Sequence, residues 1–139
     1  MYIDMISYEQ IISNYTEELE EDTKLDIMSM SEVQQRLPAN KHKWVGRLIR
    51  HKFELNKLYA QKRDAIQLLA EQIATSNPVK ISEVKAKAVA ERSNGIHEYD
   101  TQIHDLKITI EYLEKVERIL SAMSFDIKGL IEIVRLETT

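Results

Sequence analysis

Residues 96–137, IHEYDTQIHDLKITIEYLEKVERILSAMSFDIKGLIEIVRLE, decide the fold. Tyr99, Ile103, Leu106, Ile110, Leu113, Val116, Leu120, Met123, Ile127, Leu130 and Val134 recur at steps of three and four. That spacing sets side chains on one face of an α-helix. Held for about five heptads, it predicts a helix roughly 60 Å long, more than one small globule can cover. A second flank of Ile108, Ile119, Phe125, Ile131 and Ile133 makes the face wider than a two-stranded seam. The stripe therefore wants partners on two sides: the protomer's own second helix and other subunits. Leu106, Ile110, Leu113, Leu120, Met123, Phe125, Ile127, Ile131 and Val134 are the expected assembly residues. Gly129 interrupts the pattern at a cost of about 1 kcal/mol in a helix interior, and would suit a bend or a close approach.

Upstream the same period returns. Residues 5–21 read as a first helix with Tyr8, Ile11, Ile12, Tyr15 and Leu19 on its apolar side. It ends in the acidic run Glu17 to Asp22, where carboxylates oppose the helix dipole. Residues 23–30 look irregular. Ser31 and Gln34 form a capping-box pattern for a short turn that Pro38 closes. Asn40 is then the expected N-cap of a second helix running to about Thr75, with Trp44, Leu48, Leu55, Tyr59, Ile66, Leu69 and Ile73 on one face. Ser76-Asn77-Pro78 breaks it. A third, weakly apolar helix covers about 83–93 with Ser82 as its cap, and Asn94-Gly95 is a second weak point.

The fold class is thus all-α: long amphipathic helices in an oligomeric assembly. Three glycines and two prolines in 139 residues leave little material for turns. The organisation expected is an acidic N-terminal helical segment (1–39) followed by a helical core (40–139). That core holds a basic helix (40–75) and a long oligomerisation helix (96–137).

Charge is concentrated in the second helix. Between Lys41 and Arg63 stand eight basic residues and one acid, Glu54. Residues 1–39 carry two basic and nine acidic side chains, and residues 64–139 carry nine and thirteen. An acidic chain that gathers its cations in one stretch is built to meet a polyanion. Lys41, Lys43, Arg47, Arg50, Lys57, Lys62 and Arg63 are the candidate DNA-binding residues. Lys41 and Lys43, placed in the first turn after Asn40, would also make an anion site of the helix N-terminus. The competing reading is that residues 17–22 salt-bridge to this face; the two coexist if phosphate displaces the carboxylates. Trp44 and Tyr59 could stack on bases, but both lie on the apolar face, where core packing is the better account.

Catalysis has no support. There is no phosphate-binding GxxxxGK[ST], no GxGxxG, no HExxH and no nucleophile elbow. His97, Asp100 and His104 share a helix face, a spacing that also arises by chance on a charged helix, so no metal or cofactor is expected. The absence of cysteine suits a reducing cytoplasm. Neither a secretory signal nor a run of about 20 apolar residues is present, so no membrane is expected.

Asn40-Lys41-His42 followed by a long basic amphipathic helix with Lys62-Arg63 resembles the UvsY-type recombination mediators of T-even-like bacteriophages. So does Phe125-Asp126-Ile127-Lys128-Gly129-Leu130-Ile131-Glu132, which is similar to a Phe-x-Ile-Lys-x-Ile segment near the family's C-terminus. The resemblance covers roughly residues 40–139. It implies a non-enzymatic single-stranded DNA-binding protein, ring-like with six or seven subunits. In the host cytoplasm it would help a RecA-class recombinase displace the single-strand DNA-binding protein. The family's motif separates a lysine and an arginine by one residue, whereas Lys62 and Arg63 are adjacent and diverge around the helix. The alternative is a helical scaffold subunit without DNA affinity. A duplex-binding regulator is a poorer fit, for want of a helix-turn-helix unit.

Overall fold

The computed structural model describes residues 7–138, and these contain four helices and no strand. Helix α1 spans Tyr8–Asp22, α2 Met30–Ser76, α3 Glu83–Glu91 and α4 Asn94–Glu137. The part of the first-helix expectation at positions 5 and 6 lies outside the described residues.

Local chemistry sets most of the ends. The Ser7 hydroxyl accepts from the Gln10 amide at 3.2 Å and caps α1. At the other end the Thr23 amide and hydroxyl both donate to the Leu19 carbonyl, at 2.9 and 2.7 Å. A side-chain turn follows, in which the Ser29 amide donates to Asp26 Oδ1 at 2.8 Å. Ser82 caps α3 as expected, accepting from the Lys85 amide. Ser93 accepts from the Ile96 amide at 3.4 Å, so the break before α4 falls at Ser93 and Gly95 sits in the first turn of α4.

The start of α2 corrects the sequence reading. Ser31 does not cap a short turn, Pro38 does not end one, and Asn40 is not an N-cap. The helix begins at Met30, with the Val33 amide donating to the Ser29 carbonyl at 2.9 Å, and runs through Pro38. Proline inside a helix costs about 3 kcal/mol through its missing N–H and its clash with the preceding turn. Against that stand Met30, Leu37, Trp44 and Leu48, spaced seven, seven and four residues apart and all buried. Each such burial contributes roughly 1.5–3 kcal/mol, so together they outweigh the proline, which itself stays exposed. Lys41 and Lys43 consequently sit more than two turns inside α2. The expected anion site at a helix N-terminus does not form there.

The helices divide into two compact units. One holds the described residues up to Arg50 together with those from Thr109 onward; its buried side chains include Trp44, Leu48, Leu113, Val116, Leu120 and Ile127. The other, His51–Ile108, is built round Ile66, Ala90 and Ile96, with Leu69, Ile73 and Tyr99 packed against them. Alanines at 86 and 90 leave α3 no side-chain bulk where it is buried, which lets its backbone approach closely.

Candidate nucleic-acid interface

In the first unit the acidic end of α1 meets the basic stretch of α2. Lys43 Nζ pairs with Asp22 Oδ2 at 2.7 Å and lies 3.7 Å from Glu18 Oε1. The Arg47 guanidinium grips Glu18 with both terminal nitrogens. Trp44 Nε1–H donates to Asp22 Oδ2 at 2.8 Å, so three donors converge on two carboxylates. Aromatic faces complete the cluster: the Arg47 guanidinium carbon lies 4.7 Å from the Trp44 ring centre and 5.0 Å from that of Tyr15. A planar guanidinium held this way can serve a two-oxygen anion while its stem and face pack on rings. The Arg47 hydrogen bond holds the Glu18 carboxyl below the ordinary carboxylate range, with partial burial opposing. The same bond raises Arg47 further above its already high value.

The remaining cations of α2 behave differently. Half-buried Lys41 makes no ion pair among the described residues. Arg50 is exposed, with one weak contact from its Nε to the Gly46 carbonyl at 3.4 Å. In the second unit Lys52 and Lys57 are exposed and likewise without an ion pair among the described residues. Glu54, the acid within the run, is taken by the buried His51 at 2.8 Å. Lys62 and Arg63 part company, as adjacent helical positions must. Lys62 reaches Asp100 on α4 at 2.5 Å, whereas the Arg63 side chain stands 75% exposed with Asp64 at 3.6 Å. Lys52, in the basic run but not among the candidate residues above, shares the exposure of Lys57 and its lack of an ion pair among the described residues.

Trp44 is 1% exposed and cannot stack on a base. Tyr59 departs from the core placement expected of it: it is 41% exposed, with Lys107 Nζ 5.6 Å from its ring centre. It borders a groove of about 610 Å³ between α2 and α3 in the second unit, floored by Ile66, Ala70 and Ala86 and flanked by Lys62 and Arg63. Asp100 is committed to Lys62, with His97 at 3.8 Å. The described residues contain no group able to hold a metal ion.

Of the expected assembly residues, Leu106, Ile110, Leu113, Leu120, Met123 and Ile127 are buried within the chain itself. Phe125 and Ile131 are exposed and Val134 half-buried. After Ile127 no described residue of α4 is buried, and Phe125, Ile133 and Leu136 stand 73%, 53% and 73% exposed. A Cβ at Gly129 would meet nothing within 4 Å, so no contact inside the chain requires that glycine. This apolar end is one place where the chain leaves hydrophobic surface uncovered; Met28, Phe53 and Val84 are others.

Comparison with known proteins gives a consistent result. The family model described as "Recombination, repair and ssDNA binding protein UvsY" matches residues 18–139. The fold is similar to crystal structures of the bacteriophage T4 recombination mediator protein UvsY. In lattice type IV the TM-score is 0.75 at 18% identity, covering 90% of this chain and 97% of that one. In lattice type II the values are 0.73, 18%, 91% and 97%. No curated protein sequence matches the chain.

Proposed function

The chain belongs to the UvsY family of recombination, repair and single-stranded DNA-binding proteins, and we propose that it is a non-enzymatic recombination mediator acting on single-stranded DNA. The observation that carries this is the set of cations on α2 without a carboxylate partner among the described residues: Lys41, Arg50, Lys52 and Lys57. The one acid within that stretch, Glu54, is already held by His51, so the stretch keeps its positive charge in a chain of net charge −4. Lysine and arginine on a phosphate backbone release counterions and bind with little regard to base sequence. The buried Trp44 leaves little scope for recognition by stacking on that residue.

Assembly supplies the rest of the mechanism. A few phosphate contacts per subunit bind weakly, but several copies on one strand act by avidity. The apolar end of α4, with Phe125, Ile131, Ile133 and Leu136, is the surface through which six or seven copies would associate. A strand wrapped on such an assembly is held in a shape from which a RecA-class recombinase can displace the single-strand DNA-binding protein. The scaffold alternative draws support from the pairing of Lys43 and Arg47 with the chain's own acids, but that pairing accounts for only part of the basic stretch.

The test is recombinase filament formation on oligo-dT precoated with single-strand DNA-binding protein, followed by the recombinase's DNA-dependent ATPase. Adding the protein should shorten the lag before ATP hydrolysis. An unchanged lag at saturating protein would remove the mediator role while leaving DNA binding open to separate measurement.

A further inference from the structure

We infer that the acidic end of α1 is an internal competitor for DNA, seated on a phosphate-binding site made by Lys43, Trp44 and Arg47. This rests on the single-stranded DNA reading and adds a site and its regulation to it. An ammonium, a guanidinium fork and an indole N–H converge on the Glu18 and Asp22 carboxylates, within 2.8 Å for Lys43 and Trp44 on Asp22. A phosphodiester presents the same charge and the same paired oxygens to those donors. The occupant resembles the ligand in a second way: α1 ends with five carboxylates in six residues, Glu17, Glu18, Glu20, Glu21 and Asp22, around Leu19.

Its hold is also weak enough to be exchanged. Helix α1 contributes no fully buried residue. Its carboxylates gather at a helix C-terminus, where the dipole disfavours negative charge, and no basic residue stands in that last turn to offset them. Detaching α1 thus uncovers half-buried side chains such as Tyr15 and Leu19, together with the part of the buried Trp44 ring that meets Tyr15 edge-on at 5.4 Å. The consequence is a threshold. At low DNA occupancy only the unpaired cations of α2 engage the strand. When local phosphate concentration is high, as on a strand already held by neighbouring subunits, the strand replaces α1 and recruits Lys43 and Arg47. The released acidic helix is then exposed to solvent.

The experiment is oligo-dT anisotropy across a salt series with Glu18→Gln/Asp22→Asn in the full chain, substitutions that keep shape and hydrogen bonding. Freeing two cations should steepen the logarithmic salt slope by about 1.4 and tighten binding by up to about 25-fold at 0.1 M salt, taking about 0.7 per phosphate contact. Adding Lys43→Gln/Arg47→Gln should cancel the gain. An unchanged affinity in a folded double variant overturns the inference. So does a gain that survives the second pair of substitutions, because that variant has the net charge of the unaltered protein and the gain would then come from groups other than Lys43 and Arg47. Trp44, the single tryptophan, gives an independent reading in the unaltered protein. Saturating oligo-dT should shift its emission to longer wavelength as Asp22 leaves Nε1. Bound DNA with unmoved emission refutes the displacement, whereas no anisotropy change at all refutes the DNA reading beneath it.

Discussion

Replacing Pro38 with alanine should make this protein more stable, and the amount is set by where the proline sits. Met30 opens α2, so Pro38 is the ninth residue of the helix and well beyond the first turn in which proline is tolerated. There it leaves the Gln34 carbonyl without its helical partner and crowds the preceding turn, a cost of about 3 kcal/mol relative to alanine. The ring is exposed, so its removal opens no cavity. A part of the gain returns to the unfolded chain, which proline restricts by about 0.4–1 kcal/mol. A net stabilisation of about 2–3 kcal/mol is expected, read as a rise in the urea midpoint at unchanged slope. Asn40→Ala provides the opposing control. As the N-cap of a separate helix, Asn40 would cost about 0.5–2 kcal/mol when lost; inside a continuous helix its replacement is neutral or slightly stabilising. No gain from Pro38→Ala, together with a clear loss from Asn40→Ala, would show that the helix breaks here and that the burial argument for its continuity is wrong.

Further outcomes follow from the charges and the core. Lys52→Ala/Lys57→Ala removes two unpaired cations and should flatten the salt slope of oligo-dT binding by about 1.4, weakening it about 25-fold at 0.1 M salt; an unchanged slope would take these lysines out of the interface. Leu120→Ala, at a position 1% exposed, should cost about 2–5 kcal/mol in denaturant titration, whereas Phe125→Ser at 73% exposure should leave the chain folded and lower the mass seen by analytical ultracentrifugation. Equal effects of the two on stability would contradict the division of α4 into a covered and an open part. Glu18 gives a pH signature. Its carboxyl is held below the ordinary value, so its contribution is complete above about pH 5 and fades as pH falls through the depressed native value. The stability difference between the unaltered protein and Glu18→Gln should therefore be constant near neutrality and shrink below about pH 4; a difference that grows in acid would reverse the assigned sign.

The long-helix architecture was legible because its signal is periodic and local. Tyr99 through Ile127 repeat at helical spacing, and the structure covers every position of that stretch at least in part. The second flank of Ile108, Ile119, Phe125, Ile131 and Ile133 is left 36–73% exposed in the single chain, so the chain's own packing does not account for it. The entry to α2 was not legible. Ser31, Pro38 and Asn40 are sound local signals for a break, and they lost to Met30 and Leu37, whose burial depends on packing no local pattern reveals. The basic stretch could be counted from sequence but not sorted. Glu18 and Arg47 are 29 residues apart, and only the fold determines which cations it neutralises and which it leaves free. Lys62 and Arg63 make the same point at closer range, since one helical step sends the first to Asp100 and the second toward solvent.

The most direct test of the DNA-binding account is fluorescence anisotropy of labelled oligo-dT and of a matched duplex, titrated with the protein from low to high salt. The account predicts tight binding to the single strand at low salt, a linear loss of log affinity with log salt, and weaker binding to the duplex. Equal or stronger binding to duplex, or no binding to oligo-dT at low salt, would contradict it and leave a helical scaffold as the better description.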